Sequence, residues 1–247
     1  MHFLELDGVT GPTALADVET SDSSSRTGSS LVAPLTLMCP LGMPRGFQDW
    51  VTRSMGGRAS FTSGKITQTD YNFRSISILE FRGAKVGQIR FPAPDAASSD
   101  VGILRVSLAV DSMKQRTGRG ELLRATRTGS KTWLCSNFRF EMGNLPTESV
   151  DRIGSVTVSP PGAPESFGIR IRADDAKPFE DAARRGLTLP TSLDFLQATL
   201  SDTLLTLRFP SARIARVTME SRTATDDALA KADVLISPGT AFLEWGG

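Results

Sequence analysis

The chain has 247 residues, with 28 Lys plus Arg against 27 Asp plus Glu, so no net charge directs the whole molecule toward nucleic acid or anionic lipid. A hydrophobic share of 39% can supply a core, while 22 Gly and 14 Pro favour many turns over long helices. No window nears the ~18 uninterrupted apolar residues of a membrane-spanning helix. The opening MHFLELDGVTG has neither the basic nor the apolar region of a secretory signal, so synthesis into a cytoplasm is the expectation.

In chain order, Leu4 to Leu6 alternate and run into an Asp7-Gly8 turn, the signature of a short strand. A Ser-rich insertion, TSDSSSRTGSS, occupies 20–30. Next comes GFQDWVTRSMGG, where Phe47, Trp50, Val51 and Ser54 fall at i, i+3, i+4 and i+7 and predict one buried helix face. Gly56 and Gly57 supply its stop. The stretch LEFRGAKVGQIRF, Leu79 to Phe91, then alternates as a strand and breaks its alternation between Val86 and Ile89. An extra residue at that break predicts a β-bulge.

The same order recurs. Phe140-Glu141-Met142-Gly143-Asn144-Leu145 follows the pattern of Leu4 to Val9, and Pro178-Phe179-Glu180-Asp181 that of Gly46 to Asp49. LRFPSARIARVTM, Leu207 to Met219, repeats the long stretch 128 positions on. Phe81, Ala84, Val86 and Ile89 meet Phe209, Ala212, Ile214 and Val217, all eight expected in the core, and the break recurs between Ile214 and Val217. Ala97 to Asp100 matches Ala224 to Asp227, and the final strands are Arg105–Val110 and Ala232–Ser237. Apolar residues that recur by chance could reproduce the alternation, but would less readily reproduce its interruption. A tandem duplication is therefore expected, as two mainly β barrels or sandwiches, each with one short packed helix. Copy one spans 1–113, a connector 114–135 and copy two 136–247.

These features resemble the tail-tube proteins of contractile phage tails and related injection systems, including the haemolysin-coregulated tube proteins. FLELDGVTG and NFRFEMGNLP look like the family's opening strand and turn. LTLMCPLGMPRGFQDWVTRSMGG looks like its strand followed by an F-x-x-W helix, and FRGAKVGQIRFPAPDAASSDVGILRVSLAV like its closing hairpin, loop and last strand. Copy two departs from the pattern, with Ala182 where the helix tryptophan would stand. The resemblance implies two tail-tube-like β-barrels and a self-assembling structural subunit of an inner tube, tube-initiating ring or baseplate hub. Since single-barrel relatives form hexamers, three duplicated chains would supply six barrels, so a homotrimer is implied, with a hexamer as the alternative. Implied partners are neighbouring tube, baseplate or sheath proteins, with DNA or cargo in the lumen. The implied location is a virion tail or injection particle assembled in the bacterial cytoplasm.

The search for chemistry yields no catalytic, cofactor or metal residues to nominate, and the expectation is a protein that is not an enzyme. His2 is the single histidine and reads as a solvated terminal residue, which leaves little scope for a Ser-His-Asp or three-His zinc arrangement. GGRASFTSGKI at 56–66 lacks phosphate-loop spacing and has Ile66 where Ser or Thr is required. Asp174-Asp175 and Asp226-Asp227 read as turn acids, and Tyr71, Phe73, Trp133 and Phe138 as scattered core aromatics rather than a stacking platform. Cys39 and Cys135, far apart and without companions, read as packing thiols. One stretch between the copies is strongly basic: Lys114, Arg116, Arg119, Arg124, Arg127 and Lys131 stand against Glu121 alone. It is a solvated connector, an assembly arm for acidic surface on a neighbouring subunit, or a contact for nucleic-acid phosphates. A carbohydrate- or cell-surface-binding double β-sandwich is the alternative to the assembly reading.

Overall fold

The computed structural model describes residues 1–9, 12–20, 33–57, 61–123, 133–220 and 230–246. These form two compact units. Unit one takes the described residues within Met1–Arg90, Ile103–Lys131 and Ser159–Pro161, and unit two those within Phe91–Gly102, Thr132–Val158 and Gly162–Gly247.

Unit one holds β1 (His2–Leu6), β2 (Thr13–Leu15), β3 (Asp17–Thr20), β4 (Ala33–Pro40), α1 (Arg45–Met55), β5 (Thr62–Thr69), β6 (Ser75–Arg90), β7 (Ile103–Val110) and β8 (Ser112–Thr117). The strands pair in the order β2-β1-β5-β6-β7-β4-β3, with β8 added to β6. The two ends of that path, β2 and β3, are one residue apart in the chain. That residue, Ala16, donates its N–H to the carbonyl of Met38 at 2.7 Å. A sheet whose two ends are covalent neighbours must curl, and the result is a barrel.

Unit two holds β9 (Phe138–Met142), β10 (Arg152–Ile153), β11 (Thr157–Ser159) except its last residue, β12 (Ala163–Pro164), β13 (Phe167–Arg172), α2 (Ala176–Arg184), β14 (Thr188–Leu196), β15 (Thr203–Met219), β16 (Lys231–Pro238) and β17 (Phe242–Trp245). Its path, read from the other end, is β9-β14-β15-β16-β13-β10, with β17 added to β15. This is the order of β1-β5-β6-β7-β4-β3 and β8 in unit one. Copy two lacks a counterpart of β2, so among the described residues β9 has β14 as its sole strand neighbour.

The equivalence extends to irregularities. The β6–β7 ladder slips between Val86 and Gln88, and the β15–β16 ladder between Ile214 and Arg216, leaving Gly87 and Ala215 as the extra residues. These fall inside the two breaks read from the sequence. Further slips lie between Thr62 and Gly64 and between Gln68 and Thr69 in β5, and between Leu189 and Thr191 and between Phe195 and Leu196 in β14. Each pair opposes matched residues of the long strand, Ala84/Phe81 with Ala212/Phe209 and Ser77/Ser75 with Leu205/Thr203. Gly64 shows why one of these positions stays small: a Cβ there would come 2.4 Å from the Glu5 carbonyl oxygen and 2.8 Å from the Phe81 ring.

The last strands require a correction. Val106 and Leu108 pair with Ile89 and Val86, as Val234 and Ile236 pair with Val217 and Ile214. Arg105 therefore corresponds to Asp233, not Ala232. The sequence match was one residue out of step, and such a slip would exchange the buried and exposed faces of the strand.

Helix α1 buries Phe47, Trp50, Val51 and Ser54 as the spacing predicted, with Met55 added. Gly57 takes φ +75° just past its end, and its N–H returns to the Ser54 carbonyl at 3.3 Å. Helix α2 buries Ala176, Phe179 and Ala182, while Ala183 is half-buried. Phe81, Ala84, Val86 and Ile89 are buried, as are Phe209, Ala212 and Ile214. Val217 is only half-buried, which corrects its assignment to the core. From Ala215 onward β15 is exposed on most of both faces and has β16 alone beside it.

Unit two also takes in Phe91–Gly102, which follows the long strand of copy one. The Phe91 N–H donates to the Val156 carbonyl at 2.8 Å, that of Ala96 to Asp151 at 2.8 Å, and that of Gly102 to Trp133 at 2.9 Å. The Ile153 N–H returns to Pro94 at 2.8 Å, and Arg152 and Asp95 form an ion pair at 2.9 Å. Phe91 stacks on Phe195 with ring centres 6.1 Å apart, and Trp133 meets the same ring edge-on at 5.0 Å. Gly102 lies so close to the Trp133 ring that a Cβ would overlap it.

Deleting either matched ring removes a fully buried side chain. Phe81→Ala and Phe209→Ala should each cost about 3–5 kcal/mol in urea-induced unfolding, whereas Val217→Ala should cost less than about 1 kcal/mol. A Val217→Ala loss as large as either phenylalanine loss would contradict the stated end of the core.

Candidate assembly surface

Alternation along a strand sends every second residue outward, and in unit one four outward charges fall in one row. Glu5 on β1 stands opposite Lys65 on β5, Lys65 opposite Glu80 on β6, and Glu80 opposite Lys114 on β8. The signs alternate across the sheet, the arrangement that stabilises cross-strand neighbours. Lys65 and Glu5 approach to 3.2 Å. Arg116, two residues along β8, donates to Glu80 at 2.8 Å. The Arg116 hydrogen bond, aided by the charges of Arg116, Lys114 and Arg82, holds the Glu80 carboxyl below the usual carboxylate range against the opposing effect of desolvation. At the matched positions unit two has Glu141, Ser192 and Arg208, and two residues along Arg139, Asp194, Thr206 and Glu244 face one another across β9, β14, β15 and β17. Thr206 donates to Asp194 at 2.6 Å, and Arg208 pairs with Glu244 at 2.6 Å.

The basic stretch thus starts on a sheet rather than in a linker. Lys114 and Arg116 are exposed on β8, whose one strand neighbour among the described residues is β6, and Arg119 is exposed just beyond it. Arg124, Arg127 and Lys131 lie outside the described residues. Sequence reading found the positive charges but missed the row they join. The signal was present in the alternation of β1, β5 and β6, but it needs the register to become visible.

Two clefts mark the irregularity next to Phe81 and Phe209. One, of about 380 Å³, is lined by Glu5, Lys65, Glu80 and Phe81 among others. The other, of about 290 Å³, is lined by the counterparts Glu141, Ser192, Arg208 and Phe209. Glu80 has become Arg208, so the copies present opposite charge at one matched position.

His2 is half-buried on β1, with its Nδ1 3.7 Å from Asp17, contrary to its reading as a solvated terminal residue. Desolvation and the neighbouring N-terminal charge hold its imidazole below the ordinary histidine range, while Asp17 pulls the other way. Cys39 and Cys135 are free and buried, and burial pushes both thiols up. Among the described residues no group of three or more His, Cys, Asp or Glu could hold a metal ion. Asp175, in the turn before α2, accepts from Arg172 and is held low by Ser149 first and Arg172 second. Asp226-Asp227 lies outside the described residues, as does part of GGRASFTSGKI. Tyr71 is exposed and Trp133 is buried with its Nε1 donating to the Asn137 carbonyl, so these aromatics do not gather into a platform.

No protein-family model matches the sequence, and no curated protein matches it. Solved structures similar to the chain include one from the sheath-tube complex of an extracellular contractile injection system, PVC, in its extended state: 10% identity, 44% of this chain and 88% of that chain, TM-score 0.34. Another comes from the baseplate of the anti-feeding prophage (AFP), with 12% identity, 44% and 91% coverage and a TM-score of 0.35. A third is Hcp1 from Salmonella typhimurium, with 13% identity, 64% and 87% coverage and a TM-score of 0.29.

The Glu80–Arg116 pair gives a titration test. A carboxyl held low in the folded state contributes stability above its unfolded pKa, and loses it as pH falls through the folded value. In Arg116→Gln the Glu80 carboxyl, followed by NMR, should titrate at higher pH than in the parent. An unchanged midpoint would remove Arg116 as the cause.

Proposed function

We propose that the chain is a non-enzymatic structural subunit that self-assembles into a ring, of the kind that forms an inner tube, a tube-initiating ring or a baseplate hub in a phage tail or phage-tail-like injection apparatus. The observation that carries this reading is the duplication itself. Two units repeat one strand order together with all three of its described register slips on the long strand. A fused pair of barrels has a use in a ring, because one intermolecular contact becomes a tethered one at high effective concentration. The motif resemblance of both copies to tail-tube proteins supplies the class of assembly.

Three further features support assembly over isolated function. Strands β8, β9 and β17 each have a single strand neighbour among the described residues, leaving edges of the sort that proteins cover by pairing with partners. The charge row of unit one ends on β8 with Lys114, and a neighbour presenting acidic groups would continue it. The copies have also diverged in charge at Glu80 and Arg208, as they would if each met a different neighbour. The preferred count is three chains per ring, giving six barrels. Neighbouring ring, baseplate or sheath subunits would then be the protein partners, and cargo or DNA would pass through the lumen.

Light scattering during size-exclusion chromatography tests the count. Across rising micromolar concentration the mass should move from one chain to three and stay there. The ring should loosen in high salt, because exposed pairs lose reach as screening grows. Lys114→Glu with Arg119→Glu should weaken assembly and leave the melting temperature of the single chain nearly unchanged. A protein that remains a single chain at every concentration would overturn the reading.

A further inference from the structure

Phe91 and Met219 hold the same position at the ends of the matched long strands, yet Phe91 is 1% exposed and Met219 is 50% exposed. The difference follows from where each side chain finds cover. Phe91 is seated in unit two against Phe195. Phe195 and its cross-strand partner Leu205 are fully buried, as is Leu207.

The register identifies the equivalent place in unit one. Phe195, Leu205 and Leu207 correspond to Gln68, Ser77 and Leu79, and Phe138, Ile153 and Leu193 to His2, Val18 and Ile66. All six of these unit-one residues line one cavity of about 330 Å³. Here Gln68 is exposed, and Ser77 and Leu79 are half-buried. The chain therefore contains two equivalent seats and two equivalent strand ends. The seat in unit two holds Phe91. Among the described residues the seat in unit one is open, and Met219 is half in water.

We propose that Met219 of one chain seats in the unit-one cavity of a second copy, between Val18, Ile66 and Leu79. The contact repeats between chains what Phe91 makes within unit two. It joins unlike surfaces of two identical chains, so it propagates head to tail and closes when the rotation allows. The inference rests on the ring reading for its partner and names the contact that would link the chains. The chemistry of the two seats also fits their different tasks. The corresponding unit-two positions carry Phe, Leu and Ile, and Phe91 is covered there within the chain. The open seat carries His2, Gln68 and Ser77, which water can satisfy before assembly, and methionine is the flexible apolar guest that adapts to an irregular site.

Two measurements on the full chain test this. Met219→Asp should weaken self-association about tenfold or more and leave the melting temperature unchanged, since the side chain is half-exposed in the single chain. Ser77→Cys combined with Met219→Cys should, on mild oxidation, give chains covalently joined in twos and threes on a non-reducing gel. Either cysteine alone should not, because Cys39 and Cys135 are buried. If the parent assembles while Met219→Asp assembles equally well and the double variant gives no joined chains, this contact is wrong and the ring reading survives. If the double variant closes only within a single chain, the contact is likewise wrong. If the parent never assembles at any concentration, the ring reading falls and takes this contact with it.

Discussion

One long strand in each unit must change partners along its length, and the rest of the structure follows from how it bends. β6 pairs through its first half with β5 and β8 and through its second half with β7. β15 does the same with β14, β17 and β16. The partner changes beside the slips that oppose Phe81/Ala84 and Phe209/Ala212, and an extra residue, Gly87 or Ala215, follows a short way into the second ladder. The irregularities re-phase the alternation, so that Phe81, Ala84 and Val86 before Gly87 and Ile89 after it all reach the interior. Remove the insertion and one half of the strand would turn its apolar face to water.

Duplication preserved that bend and relaxed what surrounds it. Unit one closes through the β2–β3 corner at Ala16, while unit two has no counterpart of β2 among the described residues and takes in Phe91–Gly102. The equivalent positions around the open end shift from His2, Gln68 and Ser77 in unit one to Phe138, Phe195 and Leu205 in unit two. The polar set suits a surface that spends time in water, and the apolar set suits one that is always covered. On the ring reading, this division follows from having one seat satisfied inside the chain and the other satisfied only by a neighbour.

Much of the architecture was legible in the residues. The strand alternation, the position of its interruption, the Phe47–Ser54 helix face and the two-copy order all depend on local periodicity, which a sequence states directly. The slip of the final strand by one residue was not legible, because Arg105–Val110 and Ala232–Ser237 look alike in either phase until their partners are known. Val217 looked like core because its match, Ile89, is core; nothing local reveals that β15 runs out past its cover. The charge row through Glu5, Lys65, Glu80 and Lys114 is assembled from four strands distant in sequence, and only hydrogen-bond register brings them together. The capture of Phe91–Gly102 by unit two was hidden for the same reason, since its partners Asp151, Val156 and Phe195 lie far along the chain.

The central claim is that one chain supplies two equivalent positions of a ring. End-on electron micrographs of the purified, assembled protein test it most directly, because they count barrels and chains together. The account predicts rings with six barrel-sized lobes related by three-fold symmetry, in which alternate lobes differ. Six chains arranged around twelve lobes, or lobes with no alternation, would contradict it, as would fields of isolated two-lobed particles at concentrations where light scattering reports assembly.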